Sequence, residues 1–183
     1  MSQENRRTIA ERAGARWPSM GPRTMQWALG LQPGSRVRKA VLERFAQTAF
    51  LLWNRGDYAL VPIIDHPEVE TRFTIRDRMV VGTDDVYYGP DGHCRAMDEW
   101  NEAWREWDAE IDEVIEEGRD RVLVVARLYG EGSASGITLD DWGAVRYTFR
   151  EGRILRIEGA IDAERDRVLN ALGATEAAGF SDA

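Results

Sequence analysis

The sequence is poor in the residues that carry metal and redox chemistry. It contains one cysteine, Cys94, and two histidines, His66 and His93, among 183 residues. A single cysteine excludes an internal disulfide and a cysteine-rich metal site. A zinc site would need carboxylates to complete its ligand set, so we expect no resident metal ion.

Long apolar runs and a surplus of basic residues are also missing. Runs such as Ala49–Trp53 are far shorter than the roughly 20 residues that cross a bilayer, and Met1–Gly14 lacks the apolar stretch of a signal peptide. With 24 Lys and Arg against 32 Asp and Glu, the net charge of −8 disfavours general nucleic-acid binding. We expect no membrane segment, no nucleic-acid partner and a cytoplasmic location.

What the sequence does contain is typical of one globular domain. Hydrophobic residues make up 43% and charged residues 31% of the chain, which is too apolar for a disordered protein. We divide it into an N-terminal arm (1–34), a domain (35–173) and a C-terminal tail (174–183). The arm is either packed on the domain or partly mobile, because termini are loose unless they are tied down.

Two helices are predicted at the start of the domain. Apolar residues recur at helical spacing over Arg36–Arg55, Ser35 is a suitable N-cap and Gly56 a suitable stop. A second short helix is predicted from Asp57 to Ile64. Glu68–Thr74 alternates apolar and charged residues, which predicts a strand.

A tryptophan-rich helix is predicted in the middle of the chain. Met97, Trp100, Trp104 and Trp107 have helical spacing and would share one stripe. It follows a weaker strand and a turn, and it precedes a run of strands that ends in a short helix. These flanking elements are predicted at Val80–Tyr88, Gly89–Gly92, Glu110–Glu117, Arg121–Glu131, Ile137–Arg150, Arg153–Asp162 and Ala163–Leu172.

Two of these strands are apolar on both faces. Val122 and Val124 lie on one face of their strand, and Leu123 and Val125 lie on the other. A strand with one side in water alternates apolar and polar residues, so we expect both sides of the sheet to be covered. Because little chain is left to cover the outer side, we favour a sheet-to-sheet homodimer; coverage by the N-terminal arm is the alternative.

The order of the elements and several segments resemble the SnoaL-like family of the NTF2-like superfamily. The resemblance covers about Val37 to Gly173. The segments that carry it are Ala49–Tyr58 (AFLLWNRGDY), Tyr87–Gly92 (YYGPDG), Gly118–Val125 (GRDRVLVV) and Tyr147–Ile157 (YTFREGRILRI).

This resemblance implies an α+β fold: a cone-shaped barrel whose curved, mostly antiparallel sheet is closed by N-terminal helices around a pocket. Family members often form dimers through the outer sheet face. The superfamily includes polyketide cyclases, isomerases, epoxide hydrolases and non-catalytic modules, so it implies the fold better than the function. We expect binding of a small hydrophobic molecule, with cofactor-free acid–base catalysis of a cyclisation, isomerisation or epoxide hydrolysis. The alternative is a non-catalytic dimeric ligand-binding or assembly module.

Catalytic relatives use a carboxylate at the apolar pocket, because burial raises its pKa and makes it an effective base. The candidates here are Asp141 as base, Tyr147 as donor to an oxyanion and Arg127 as a charge partner. Arg127 either points inward, towards Asp140 or Asp141, or points outward into a dimer salt bridge. An inward arginine would need such a partner, since an unpaired buried charge is costly.

The resemblance and the spacing also suggest which residues line the pocket. Trp100 and Trp104 form either an aromatic wall for a flat ligand or ordinary core. His66 is either an acid or base at the pocket mouth or a surface histidine. The complete candidate set is Trp53, His66, Tyr87, Trp100, Trp104, Val145 and Phe149.

The last strand departs from the family pattern. Relatives carry polar or aromatic residues where this chain has Gly159 and Ala160. The small residues indicate either a pocket widened for a larger ligand or activity lost in favour of binding. Asp162 keeps the family's terminal acid, or it caps the final helix.

Overall fold

A computed structural model describes residues 20–75 and 86–173. The first part of the arm, most of the predicted strand Val80–Tyr88 and the tail lie outside the described residues. The helices are α1 (Met20–Gly30), α2 (Arg36–Asn54), α3 (Val61–Ile64), α4 (Gly89–Ala103) and α5 (Arg165–Ala171). The strands are β1 (Asp65–Ile75), β2 (Tyr87–Tyr88), β3 (Trp104–Glu116), β4 (Arg121–Gly132), β5 (Thr138–Arg150) and β6 (Arg153–Asp162).

The six strands form one sheet in the order β2-β1-β6-β5-β4-β3. Only the β1–β6 pair is parallel, and the other neighbours are antiparallel. The sheet curves around the helices without closing, and β2 and β3 are its edges. The predicted α+β class and the curved, mostly antiparallel sheet are therefore confirmed.

Both faces of the sheet are covered, as the apolar strands predict. The inner face packs against α2 and α4, with Leu42 and Val122 fully buried. On the outer face, Leu123 and Val125 are fully buried and pack in one cluster with Val168 of α5. The prediction that too little chain remains to cover this face is wrong, because the seven-residue α5 folds back over β5 and β6.

An arginine fixes the end of α5. The Arg146 guanidinium donates a hydrogen bond of 2.6 Å to the carbonyl oxygen of Leu172 and two to the carboxylate of Glu117. The homodimer expected through this face stays a prediction, but the outer apolar strands no longer require one.

The first described helix is also tied to the domain by a buried arginine. The Arg38 side chain is fully buried and donates to the carbonyl oxygens of Leu29 in α1 (2.7 Å) and Gly118 in the β3–β4 turn (2.9 Å). Its Nε lies 2.6 Å from the Glu116 carboxylate. The guanidinium therefore joins α1, α2 and the β3–β4 hairpin.

The tryptophan-rich segment differs from its prediction. The helix ends at Ala103, and Trp104 and Trp107 belong to β3 instead of the helical stripe. Two strand residues three positions apart would ordinarily face opposite sides. A bulge at Glu106, whose φ is +50°, turns both tryptophans inward. Local bulge geometry thus reproduces the burial that helical spacing had suggested.

The start of α4 corrects a second prediction. Gly89–Gly92 is the first turn of the helix instead of a separate turn. Gly89 has a φ of +73°, which suits glycine, and Pro90 follows at a position where a helix tolerates proline.

Candidate functional site

A small apolar cavity lies between α2, α4 and the inner face of the sheet. Its volume of about 20 Å³ is enough for one water molecule. It is bordered by aromatic residues from both helices and from β1 and β3, and by small and aliphatic residues from β4, β5 and β6. These residues are Phe50, Trp53, Phe73, Trp100, Trp107, Leu128, Gly143, Ala144, Val145, Gly159, Ala160 and Ile161.

Trp53 is at the centre of the aromatic wall. Its ring centroid lies 5.8 Å from that of Trp100, 5.3 Å from that of Trp107 and 5.7 Å from that of Phe73. Such tilted and edge-to-face contacts are favourable for aromatic pairs. The wall is therefore a packed cluster that presents ring faces and edges to the cavity.

Two indole N–H groups of this wall have no hydrogen-bond partner among the described residues. They are Nε1 of Trp53 and Nε1 of Trp100, and both are buried. The indole of Trp107, by contrast, donates to Oδ1 of Asn101 at 2.6 Å. An unsatisfied buried donor costs about 1–3 kcal/mol, so a ligand oxygen that accepts these hydrogen bonds would gain free energy.

The space beside two glycines at the cavity is occupied by side chains from neighbouring strands. A Cβ on Gly159 would lie 2.4 Å from Cδ1 of Phe73, and a Cβ on Gly143 would lie 2.7 Å from Cδ1 of Leu128. Each glycine therefore accommodates a larger side chain from the adjacent strand. The hypothesis that Gly159 widens the pocket is wrong, because the Phe73 ring occupies the space.

The structure brings three of the predicted pocket residues to the cavity: Trp53, Trp100 and Val145. Trp104 does not border the cavity, and its ring centroid lies 5.8 Å from that of Trp100. Phe149 packs against Phe45 of α2, deeper in the core.

Two further pocket candidates lie away from the cavity. The Tyr87 hydroxyl donates to the Glu99 carboxylate, and the Arg95 guanidinium lies over its ring. His66 forms a cluster with Arg150 and Glu68, where hydrogen bonding to Arg150 lowers the pKa of the Glu68 carboxyl. Neither residue lines the cavity.

Of the catalytic candidates, Arg127 lies on the outer face. Its Nε donates to Oδ1 of Asp140 at 2.8 Å, and its guanidinium carbon lies 5.3 Å from the centroid of the Trp142 ring. The inward orientation is therefore wrong, and Arg127 forms a salt bridge with Asp140 of the same chain. The salt bridge across a dimer stays a prediction.

Asp141 and Tyr147 both belong to the inner face of β5, one before and one after the residues of this strand that border the cavity. They are about 20 Å apart along the strand, at about 3.3 Å per residue. Tyr147 packs edge-on against Phe45, and burial raises the pKa of its hydroxyl. Asp141 is half-buried, and its cross-strand neighbour Leu128 borders the cavity. The structure does not bring the three candidates together, and none of them borders the cavity; Asp141 is paired across the strands with Leu128, which does.

Sequence reasoning missed a buried carboxylate–imidazole pair. Oδ2 of Asp65 lies 2.7 Å from Nδ1 of His93, and Asp65 is 1% exposed. Burial raises the pKa of the Asp65 carboxyl, and the hydrogen bond to His93 opposes this. A signal was present, since Asp65 directly follows the apolar Val61–Ile64. The pair does not line the cavity, and Arg153 binds the Asp65 carbonyl oxygen, which indicates a structural role.

Asp162 precedes α5 and accepts a hydrogen bond of 3.1 Å from the backbone N–H of Glu164. The N-cap of α5 is Glu164, and no side chain caps the helix. The prediction that Asp162 caps the final helix is therefore wrong, because its carboxylate closes a turn that lies just before the helix.

A second concavity lies beside the cavity, between α2 and β3. This groove has a volume of about 650 Å³. It is bordered by polar and apolar residues of the two elements, namely Gln47, Phe50, Leu51, Asn54, Glu106, Trp107, Asp108, Ala109 and Ile111. Phe50 and Trp107 border both spaces and form the wall between them.

The described residues hold no group of three or more His, Cys, Asp or Glu side chains placed to bind a metal ion. None of the helices within the described ranges combines the length and hydrophobicity needed to cross a bilayer.

The family model for a SnoaL-like domain matches residues 42–157, more than half of the chain. No curated protein matches the chain.

Several solved structures have a similar fold. A protein described as a SnoaL-like polyketide cyclase from Jannaschia sp. CCS1 is 17% identical, with a TM-score of 0.55 over 81% of this chain and 100% of that one. An NTF2-like protein from Burkholderia xenovorans LB400 is 20% identical, with a TM-score of 0.54 over 70% and 92%. TerC, crystallised with polyporic acid, is 20% identical, with a TM-score of 0.53 over 66% and 90%. Identities this low support the fold alone.

Proposed function

The chain belongs to the SnoaL-like family, and from this premise we propose that it binds a small, mostly hydrophobic molecule in the inner cavity. The observation that carries the proposal is the aromatic wall with two buried indole N–H groups, those of Trp53 and Trp100, which have no hydrogen-bond partner in the described part of the chain. Burying an unpaired donor is costly, and a ligand would offset that cost. The fold resemblance to TerC, which was crystallised with polyporic acid, is compatible with such a ligand.

The chemistry of the wall restricts the ligand. An indole N–H is a donor only, so the ligand should carry an acceptor such as a carbonyl or ether oxygen. The ring faces and edges of Trp53, Trp100 and Trp107 favour a flat molecule. The cavity of about 20 Å³ is too small for one, so side chains must move when it binds.

If the protein is an enzyme, its chemistry is acid–base catalysis without a cofactor. In an isomerisation, the Asp141 carboxylate takes a proton from the carbon next to the ligand carbonyl, and the electron pair moves onto the carbonyl oxygen. Indole N–H groups of Trp53 or Trp100 donate to the oxygen as charge develops. If the ligand has a double bond between its β and γ carbons, the electron pair returns from the oxygen through the shifting double bond to the γ carbon, which takes the proton back from Asp141. The carbonyl re-forms, and no atom is gained or lost.

The alternative is a non-catalytic binding or assembly module. It is favoured by the separation of the predicted catalytic residues, since Arg127 lies on the outer face and Tyr147 is deep in the core. In this case the cavity holds its ligand without converting it.

Binding can be tested with a fluorescent naphthalene that carries a carbonyl, 6-propionyl-2-(dimethylamino)naphthalene. Trp100→Phe keeps an aromatic ring and removes the N–H, and we expect it to weaken binding about three- to tenfold, the value of one hydrogen bond. The control Trp27→Phe changes a tryptophan that is 55% exposed and should leave binding unchanged. Unchanged affinity in Trp100→Phe would contradict the donor role, and absence of binding to the wild type would contradict the site.

Catalysis can be tested by incubating the protein with aromatic polyketides, terpenes and steroids and analysing products by mass spectrometry. We expect any conversion to fall at least a hundredfold in Asp141→Asn, and to persist in Asp140→Asn, whose carboxylate is on the outer face. Stabilisation by a ligand without conversion supports the module. Conversion that survives Asp141→Asn rules out Asp141 as the base.

A further inference from the structure

Among the described residues, two side chains are shared by the linings of the groove and the cavity. Phe50 of α2 and Trp107 of β3 border both spaces. The groove is open and measures about 650 Å³, whereas the cavity measures about 20 Å³. A molecule that enters the cavity from the groove must therefore pass this wall.

Phe50 and Trp107, the two side chains shared by the groove and the cavity, differ in the contacts that hold them in place. The carbonyl oxygen of Trp107 accepts a hydrogen bond from Asn54, and its indole N–H donates to Asn101. Phe50 is a phenyl group with no polar atom, and its ring is stacked on Trp53 with a centroid distance of 6.2 Å. Moving the Phe50 side chain breaks no hydrogen bond. We therefore expect Phe50, and not Trp107, to move when a molecule passes from the groove into the cavity.

The groove has a chemical character opposite to that of the cavity. The polar groups of the cavity wall that lack a partner within residues 20–75 and 86–173 are N–H donors, on Trp53 and Trp100. The polar residues at the groove include the carboxylates of Glu106 and Asp108, and the described residues that border it include no Lys, Arg or His. Carboxylates only accept hydrogen bonds, so the groove favours a ligand group that donates them and carries a positive charge.

We propose that the groove and the cavity are two halves of one binding site for a cationic amphiphile. Its flat, oxygen-bearing end lies on the indole groups inside, and an amine at its other end lies beside Glu106 and Asp108. Phe50 sets the depth that the flat end can reach. This inference rests on the proposed function and adds the charge and the length of the ligand.

The charge preference can be tested with two probes of equal length. Dansylcadaverine carries an amine at the end of a five-carbon chain, and N-dansyl-6-aminohexanoic acid carries a carboxylate at a similar distance. We expect the amine probe to bind about three- to tenfold more tightly, because exposed ion pairs each contribute up to about 1 kcal/mol. The preference should shrink at 1 M salt, where screening is strong.

Paired double variants separate the groove from the overall charge. Glu106→Gln/Asp108→Asn removes both groove carboxylates and should bring the affinity ratio of the two probes close to one. Glu102→Gln/Glu110→Gln removes the same number of charges from exposed residues that do not border the groove, and should keep the ratio. Equal effects of the two double variants would overturn the groove as the charge-selective half.

The role of Phe50 is tested by Phe50→Leu and Phe50→Ala. Both substitutions replace Phe50 with a smaller side chain between the groove and the cavity. Both dansyl probes should then bind at least threefold more tightly, because less of the binding free energy is used to displace that side chain. Phe45→Ala is the matched control, since Phe45 packs on Tyr147 and Phe149 and borders neither space. Unchanged affinity in Phe50→Leu, which keeps an apolar side chain, would overturn the assignment of Phe50.

The failure of this inference is distinguishable from that of the proposed function. If the carbonyl naphthalene binds in a Trp100-dependent manner while the two dansyl probes bind equally, the groove proposal fails and the cavity proposal stands. If neither the naphthalene nor either dansyl probe binds, both fail.

Discussion

Among individual residues, Gly143 and Gly159 determine the shape of the cavity, because each leaves room for a large side chain from a neighbouring strand. Phe73 packs onto Gly159 and Leu128 packs onto Gly143, at distances that leave no room for a Cβ. From the sequence, a small residue on a strand predicts open space, because nothing local shows which side chain from a neighbouring strand fills it. The β1–β6 pairing, which puts Phe73 opposite Gly159, decides the outcome.

We predict that Gly159→Ala destabilises the protein by about 1–3 kcal/mol, the usual cost of overpacking. The added methyl would be 2.4 Å from the Phe73 ring, so the ring or the strand must shift. Phe73→Leu in the same chain should restore part of the loss, and urea unfolding measures both. Additive losses in the double variant would show that the two side chains do not compete for this space.

Among the helices and strands, two segments have a role in the structure that differs from the one predicted from the sequence. Trp104 and Trp107 have helical spacing, yet they lie in β3, where the bulge at Glu106 directs both inward. Burial was predictable because it follows from the residue type, but the helix boundary was not, because the bulge depends on pairing with β4. In the same way, α5 was predicted as a helix, and only the fold shows that it covers the outer face.

We predict that Leu169→Ala reduces the free energy of unfolding by about 2–4 kcal/mol, since Leu169 is 4% exposed and truncating a buried leucine leaves a cavity. Asn170→Ala changes an exposed neighbour on the same helix and should cost far less. Urea unfolding followed by circular dichroism gives both values. A loss below 0.5 kcal/mol for Leu169→Ala would mean that α5 does not seal the outer face.

At the scale of the whole molecule, the chain has few groups that titrate between pH 9 and 12. Lys39 is its only lysine, and arginines stay charged throughout this range. Burial, together with Asp98, raises the pKa of Tyr58 to about 12. Burial also raises the pKa values of Tyr147 and of the Cys94 thiol.

We predict that stability falls steeply as the pH rises above about 10. An unfolded tyrosine ionises near pH 10, whereas Tyr147 stays protonated in the folded protein. The unfolded state therefore loses protons first, and the stability present below pH 10 is lost as the pH rises, by up to about 1.4 kcal/mol per pH unit for one such group.

The measurement is the urea midpoint at several pH values between 8 and 11.5. Tyr147→Phe should flatten the fall, and Tyr129→Phe, which changes a tyrosine that is 42% exposed, should not. A Tyr147→Phe profile parallel to that of the wild type would contradict the assignment.

Local patterns in the sequence were enough to predict which segments are buried and in what order they follow. Apolar periodicity fixed α2, the two-sided strands β4 and β5 and the β5–β6 hairpin, because these patterns depend on neighbours within a few residues. It also drew attention to Trp53, Trp100 and Val145, which border the cavity.

Which of these residues are in contact depends on how distant segments pack together in the folded chain. The face on which Arg127 lies, the filling of the space at Gly159 and the wall that Phe50 forms with Trp107 all depend on strand register and on contacts between distant elements. The pairing of Asp65 with His93 depends on them as well. Such contacts join residues far apart in the chain, and no local pattern of side chains encodes the distance between them.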